Sequence, residues 1–96
     1  MTKLEPSESD LTGIWIVVDG KIRGDSTCER IHWLIAHHLR KVAVSKQSGG
    51  WDTLYQDPDD GRFWERTYPQ GAMQGGGPPR LGVVNPSEAS TKYELS

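Results

Sequence analysis

The strongest pattern along the chain is an apolar stripe between residues 28 and 42. At 100° per residue, Cys28, Ile31, Leu34, Ile35, His38, Leu39 and Val42 share one face, which predicts an amphipathic helix running to about residue 44. Asp25, Ser26 and Thr27 offer N-caps ahead of it, and Ser26 with Glu29 three residues on fits a capping box. Upstream, residues 12–18 read Thr-Gly-Ile-Trp-Ile-Val-Val, a β-branched and aromatic run that predicts a strand. Ile14, Ile16 and Val18 lie on one side of it and Trp15 and Val17 on the other, so cover on both faces is expected. Asp19-Gly20 is a turn signal, after which residues 21–24 return as a short strand or a loop.

Beyond the Ser48-Gly49-Gly50 break, residues 51–56 and 62–68 read as a hairpin around Asp57-Pro58-Asp59-Asp60-Gly61. Pro58 suits the first central turn position and Gly61 can take positive φ. Pairing Asp57 with Arg62 sets Tyr55 opposite Trp64 and Trp51 opposite Tyr68, so one face carries these four aromatics together with Arg62 and Arg66. The favoured placement of that face is beneath the long helix. Asp52, Gln56 and Glu65 would then point to solvent beside Leu54 and Phe63, as an acidic, partly apolar surface for a partner. Residues 69–79 form a stiff segment ending in Gly75-Gly76-Gly77-Pro78-Pro79, read as a structural loop of close approach, and residues 80–84 make a last strand. Asn85 as N-cap, Pro86 at the first helical position and Glu88 announce a final helix to about residue 93. The predicted fold is α+β: a small antiparallel sheet of about four strands packed on one long helix, with a short C-terminal helix. Residues 1–10 are expected to be a poorly ordered lead and residues 11–96 a single domain.

Composition narrows the class. Only 34% of the 96 residues are apolar, and 11 glycines and 6 prolines leave much of the backbone to loops, so four tryptophans, three tyrosines and one phenylalanine must supply core volume. A single cysteine, Cys28, forms no internal disulfide and fits a reducing compartment. With 11 Lys+Arg against 13 Asp+Glu, the net charge of −2 lacks the basic footprint of a nucleic-acid binder. No basic start leads into an apolar run, and no apolar run approaches the roughly 20 residues that span a bilayer. The expectation is a soluble cytoplasmic protein, monomer or weak dimer, without a membrane or nucleic-acid partner.

The candidate chemistry is thin. Cys28 and His32 are four apart on the predicted helix, but His37 and His38 diverge from them, so no metal site is expected. Asp57, Asp59, Asp60 and Gly61 are too compressed for a calcium loop, and Tyr68 stands where the clamping glutamate should be; they read as a solvated acidic tip suited to a basic partner. Pro78 and Pro79 remove the N–H donors that a phosphate cradle needs after Gly75, Gly76 and Gly77. A buried Cys28 makes a poor nucleophile, so no catalytic residue and no cofactor is assigned. Trp33 lies opposite the apolar stripe, beside Glu29, His37 and Arg40, either covered by the glycine-rich loop or the last helix or free as a binding anchor. Two other readings are a small enzyme or ligand-binding domain with a pocket under residues 75–79, using His37 or Asp25, and a nucleic-acid binder using Arg62 and Arg66.

The order of Leu11-Thr12-Gly13-Ile14-Trp15, Asp25, Cys28-Glu29-Arg30-Ile31, Trp33-Leu34-Ile35, Gly50-Trp51, Leu54-Tyr55, Asp57-Pro58, Asp60-Gly61-Arg62, Trp64-Glu65, Tyr68-Pro69 and Gly75-Gly76-Gly77-Pro78-Pro79-Arg80-Leu81 resembles the immunity protein 27 family, over about residues 4–93. Members look like small α+β antidotes encoded beside polymorphic toxins of bacteria. The resemblance implies a protein that binds and neutralises a cognate toxin domain inside the producing cell. The contacts expected for such a partner are Trp33, His37, Asp57, Asp59, Asp60 and Arg62.

Overall fold

A computed structural model describes residues 2–46, 52–69 and 77–95. The elements in chain order are β1 (Asp10–Thr12), β2 (Trp15–Val18), β3 (Lys21–Gly24), α1 (Ser26–His37), β4 (Arg40–Val44), β5 (Thr53–Gln56), β6 (Phe63–Thr67), β7 (Arg80–Val84) and α2 (Pro86–Lys92). Five strands form one antiparallel sheet in the order β1-β7-β6-β5-β4, while β2 and β3 pair only with each other. The α+β class, the main helix and the short C-terminal helix are as the sequence predicts. No helix among the described residues is long and apolar enough to cross a membrane.

Each helix covers one face of the five-stranded sheet. Because side chains alternate along a strand, Leu11, Tyr55, Trp64 and Leu81 point to one side and join Ile31 and Leu34 of α1, with Leu4 and Leu39, in the main core. On the other side Leu54 packs with Ala89 of α2 and with Tyr93, flanked by Ala43, Phe63, Val84 and Leu95. The β5–β6 register pairs Tyr55 with Trp64, and Asp57 N–H donates to the Arg62 carbonyl at 2.9 Å, as the turn chemistry predicts. Gly61 has φ +78°. Trp51, Gly75 and Gly76 lie outside the described residues.

Three expectations are corrected. The helix does not reach residue 44: it ends at His37, and Arg40–Val44 becomes β4, an edge strand paired with β5. Leu39 and Val42 fit helical spacing, but Lys41, Val42, Ala43 and Val44 fit a strand equally well, and the open edge of β5 captures them. Second, residues 12–18 do not make one strand. Thr12 ends β1 and Trp15 starts β2 in a different sheet, with Gly13 between them tucked against Cys28 and donating its N–H to the Pro79 carbonyl at 2.9 Å. Third, the acidic face of β5–β6 is not left to solvent. Lys92 Nζ reaches Asp52 at 2.8 Å and Glu65 at 2.6 Å, and the Tyr93 hydroxyl donates to Glu65 at 2.7 Å, so α2 neutralises the carboxylates it covers. Burial and donation to Glu65 together push the Tyr93 hydroxyl far above the usual phenol range.

Residues 2–8 make contacts with the rest of the fold. Leu4 is buried in the main core, and Arg30 donates to the carbonyls of Thr2 (3.2 Å) and Lys3 (2.9 Å) and grips both carboxylate oxygens of Glu8 at 2.6 and 2.7 Å. These hydrogen bonds from Arg30, opposed by partial burial, hold the Glu8 carboxyl down at about 2.

Candidate functional site

Three surfaces carry the residues with functional potential, and α1 links them. At its start, Asp25 serves as N-cap, its carboxylate accepting from Cys28 N–H at 3.0 Å and from Ile14 N–H at 3.4 Å. Burial raises the Asp25 carboxyl, but the donors from Cys28 and Ile14 outweigh it and leave it below the ordinary range. Asp25, and not Ser26, therefore caps the helix. The Asp25 N–H also donates back to the Ile14 carbonyl at 3.0 Å, which closes the root of the β2–β3 hairpin. Burial and the neighbouring Asp25 push the Cys28 thiol up, the opposite of what a nucleophile needs.

The β2–β3 hairpin turns through Asp19 and Gly20, at φ +51° and +77°, the positive pair of a type I′ turn. Its register pairs Trp15 with Gly24, Ile16 with Arg23, Val17 with Ile22 and Val18 with Lys21. Trp15, Val17 and Ile22 therefore share one face, and Val17 and Ile22 are 71% and 73% exposed. Among the described residues, the two-sided cover expected for this strand is not found; Ile16 is half-buried and the other apolar residues of the hairpin are exposed. Arg23, on the other face, pairs with Glu29 at 3.0 Å.

Along α1, Trp33 is half-buried against the main core, and its indole meets the exposed His37 ring at 6.0 Å. At the helix end stands the acidic turn between β5 and β6, where the four polar residues separate by environment. Asp57 is fully buried: its Oδ1 accepts from Asp59 N–H at 2.8 Å and lies 3.0 Å from His38 Nε2, while its buried Oδ2 has no hydrogen-bond partner among the described residues. Such an unpaired buried acceptor costs about 1–3 kcal/mol. Asp57 is thus a strut inside the turn and not a surface contact. Asp59 and Asp60 are exposed, Asp59 within 3.7 Å of His38 Nε2. Arg62 is also engaged internally. It holds Asp60 at 2.6 Å, donates to the carbonyls of Glu8 (2.6 Å) and Glu5 (3.0 Å), and lies over the Trp64 ring at 5.0 Å.

Of the Cys28 and His32 pair considered for a metal, Cys28 is buried and His32 exposed. Ligand atoms of His38, Asp57 and Asp59 do gather, all within 4.8 Å of one another, and could hold one ion. The short His38–Asp57 contact is equally that of an imidazole donating to a carboxylate. Linear sequence hides this trio because His38 and Asp57 are 19 residues apart. Gly77, Pro78 and Pro79 are buried, with Gly77 at φ +69°.

A family model for immunity protein 27 matches residues 17–85, which run from the middle of the β2–β3 hairpin to the start of α2. No curated protein and no solved structure matches the chain. The family match spans well over half of the sequence and contains α1, the acidic turn and strands β3 to β7. The chain therefore belongs to the immunity protein 27 family.

Proposed function

We propose that this immunity protein binds the bacterial toxin domain encoded beside it and blocks that toxin in the cytoplasm of the producing cell, by covering its active site and doing no chemistry of its own. Family membership over residues 17–85 is the observation that carries the reading. Three features of the chain support it. No pocket opens among the described residues. Cys28 is buried with its thiol pushed up. Asp25, the polar group considered for a pocket beneath residues 75–79, is occupied as a helix cap.

A blocking protein needs a preformed surface of roughly 800 Å². The 12 residues of α1 place the hairpin root and the acidic turn about 18 Å apart, at 1.5 Å per residue, so one such interface reaches both. On this reading His37 and Trp33 contribute contacts from the helix, and Asp59 and Asp60 steer a basic region of the toxin. Asp57 and Arg62 act from below, by fixing the turn. One copy of the chain suffices to cover one toxin domain. Co-expression with the neighbouring toxin gene tests the reading: protection of the host and a co-purifying complex are expected, and a toxin that kills unhindered without forming a complex rejects it.

A further inference from the structure

Among the described residues, the most exposed large apolar side chains, Val17 and Ile22, stand on the β2–β3 hairpin. Isolated two-stranded hairpins are marginal in water, and exposed strand edges are ordinarily guarded by charge, proline or a bulge. Edge strand β4 follows that rule, with Arg40 and Lys41 exposed and a register shift between Lys41 and Ala43. The Trp15–Val17–Ile22 face has no guard. Val17 and Ile22, directly paired, are 71% and 73% exposed, and Trp15 is 37% exposed.

The root, by contrast, is fixed. A Cβ on Gly24 would lie 2.8 Å from Cys28 Cβ, and one on Gly13 would strike Cys28 Sγ and sit 2.9 Å from the Pro79 carbonyl oxygen. Asp25 ties Ile14 to the helix start. A rigid base, a type I′ turn and an uncovered apolar face describe a preorganised probe, which loses little freedom on binding.

We propose that this hairpin is the apolar anchor of the toxin interface, inserting Trp15, Val17 and Ile22 into an apolar slot on the toxin domain. The proposal rests on the toxin-binding reading above. Size separates a toxin from a second copy of this chain. Four residues per strand give roughly 13 Å by 10 Å of sheet, so hairpin stacked on hairpin covers far less than the roughly 800 Å² per partner of a stable interface. A larger partner that continues along α1 meets that requirement.

The test measures binding of the purified protein to a catalytically inactive form of the toxin domain encoded beside it. The double variant V17E/I22K keeps a favourable opposite-charge pair across the strands while placing two charges in the slot. It is expected to weaken binding at least about 100-fold with the thermal unfolding midpoint little changed. The milder V17T/I22T, which keeps β-branched side chains in both strands, is expected to lose about 10-fold. If wild type binds and both folded variants bind within about 2-fold of it, the anchor is wrong while the toxin reading stands. If wild type fails to bind, both fall together. Self-association of wild type that V17E/I22K abolishes, with toxin binding intact, assigns the hairpin to a second copy and overturns the proposal.

Discussion

Hairpins β5–β6 and β2–β3 are built from similar material and end in opposite environments. In β5–β6, Leu54 and Trp64 are fully buried, because neighbouring strands flank both edges and a helix lies on each face. In β2–β3, Val17 and Ile22 are 71% and 73% exposed, because among the described residues no strand joins either edge of that hairpin. Strand propensity is therefore the same signal in both places, and what differs is whether the rest of the chain supplies cover. The first hairpin spends its aromatics on stability, and the second holds its apolar residues outside the core.

The sharpest way to break the comparison is to remove one residue from each hairpin. Trp64→Ala is expected to destabilise the protein by about 3–5 kcal/mol in denaturant unfolding, since the cavity would open at the centre of the main core. Ile22→Ala, in the exposed hairpin, is expected to change stability by no more than about 0.5 kcal/mol. Equal effects would mean that β2–β3 is packed in solution. Gly13→Ala comes next, at about 1–3 kcal/mol, because its Cβ would press on Cys28 and on the Pro79 carbonyl, which cannot both yield. Asp25→Ala should follow at about 1 kcal/mol, the usual cost of a lost N-cap, and it should also loosen the hairpin root as read by faster amide exchange at Ile14.

The smallest effect is a pH dependence outside both hairpins. Glu8 has its carboxyl lowered in the folded chain from the ordinary 4.5 to about 2, by Arg30. A depressed carboxylate contributes stability that is fully present above its unfolded value and is lost as pH falls through its folded value. Stability should therefore decline between about pH 4.5 and 2, and Glu8→Gln should flatten that part of the curve. A variant with an unchanged acid profile would show that the Arg30–Glu8 pair contributes nothing to folding.

What could be read from the residues alone was local. The Asp57–Arg62 register, the positive φ of Gly61, the Asn85 and Pro86 helix start and the stripe through Ile31 and Leu34 are short-range consequences of side-chain chemistry, and the structure keeps all of them. What could not be read depended on distant partners. The end of α1 is set by pairing with β5, the burial of Asp57 by His38, and the contacts of residues 2–8 by Arg30 and Arg62. The exposed hairpin was the hardest to foresee, since a run apolar on both faces normally reads as a covered strand. Of the residues singled out for a partner, His37, Asp59 and Asp60 are exposed and Trp33 is half-buried, while Asp57 and Arg62 are engaged inside the fold.

Amide hydrogen exchange, followed residue by residue in the free protein and in its complex with the neighbouring toxin domain, tests most directly whether the uncovered hairpin is where the partner sits. The expected result is new protection across residues 15–24 on binding, with β5 and β6 slow and unchanged in both states. Protection gained elsewhere, with residues 15–24 exchanging at the same rate bound and free, would contradict it.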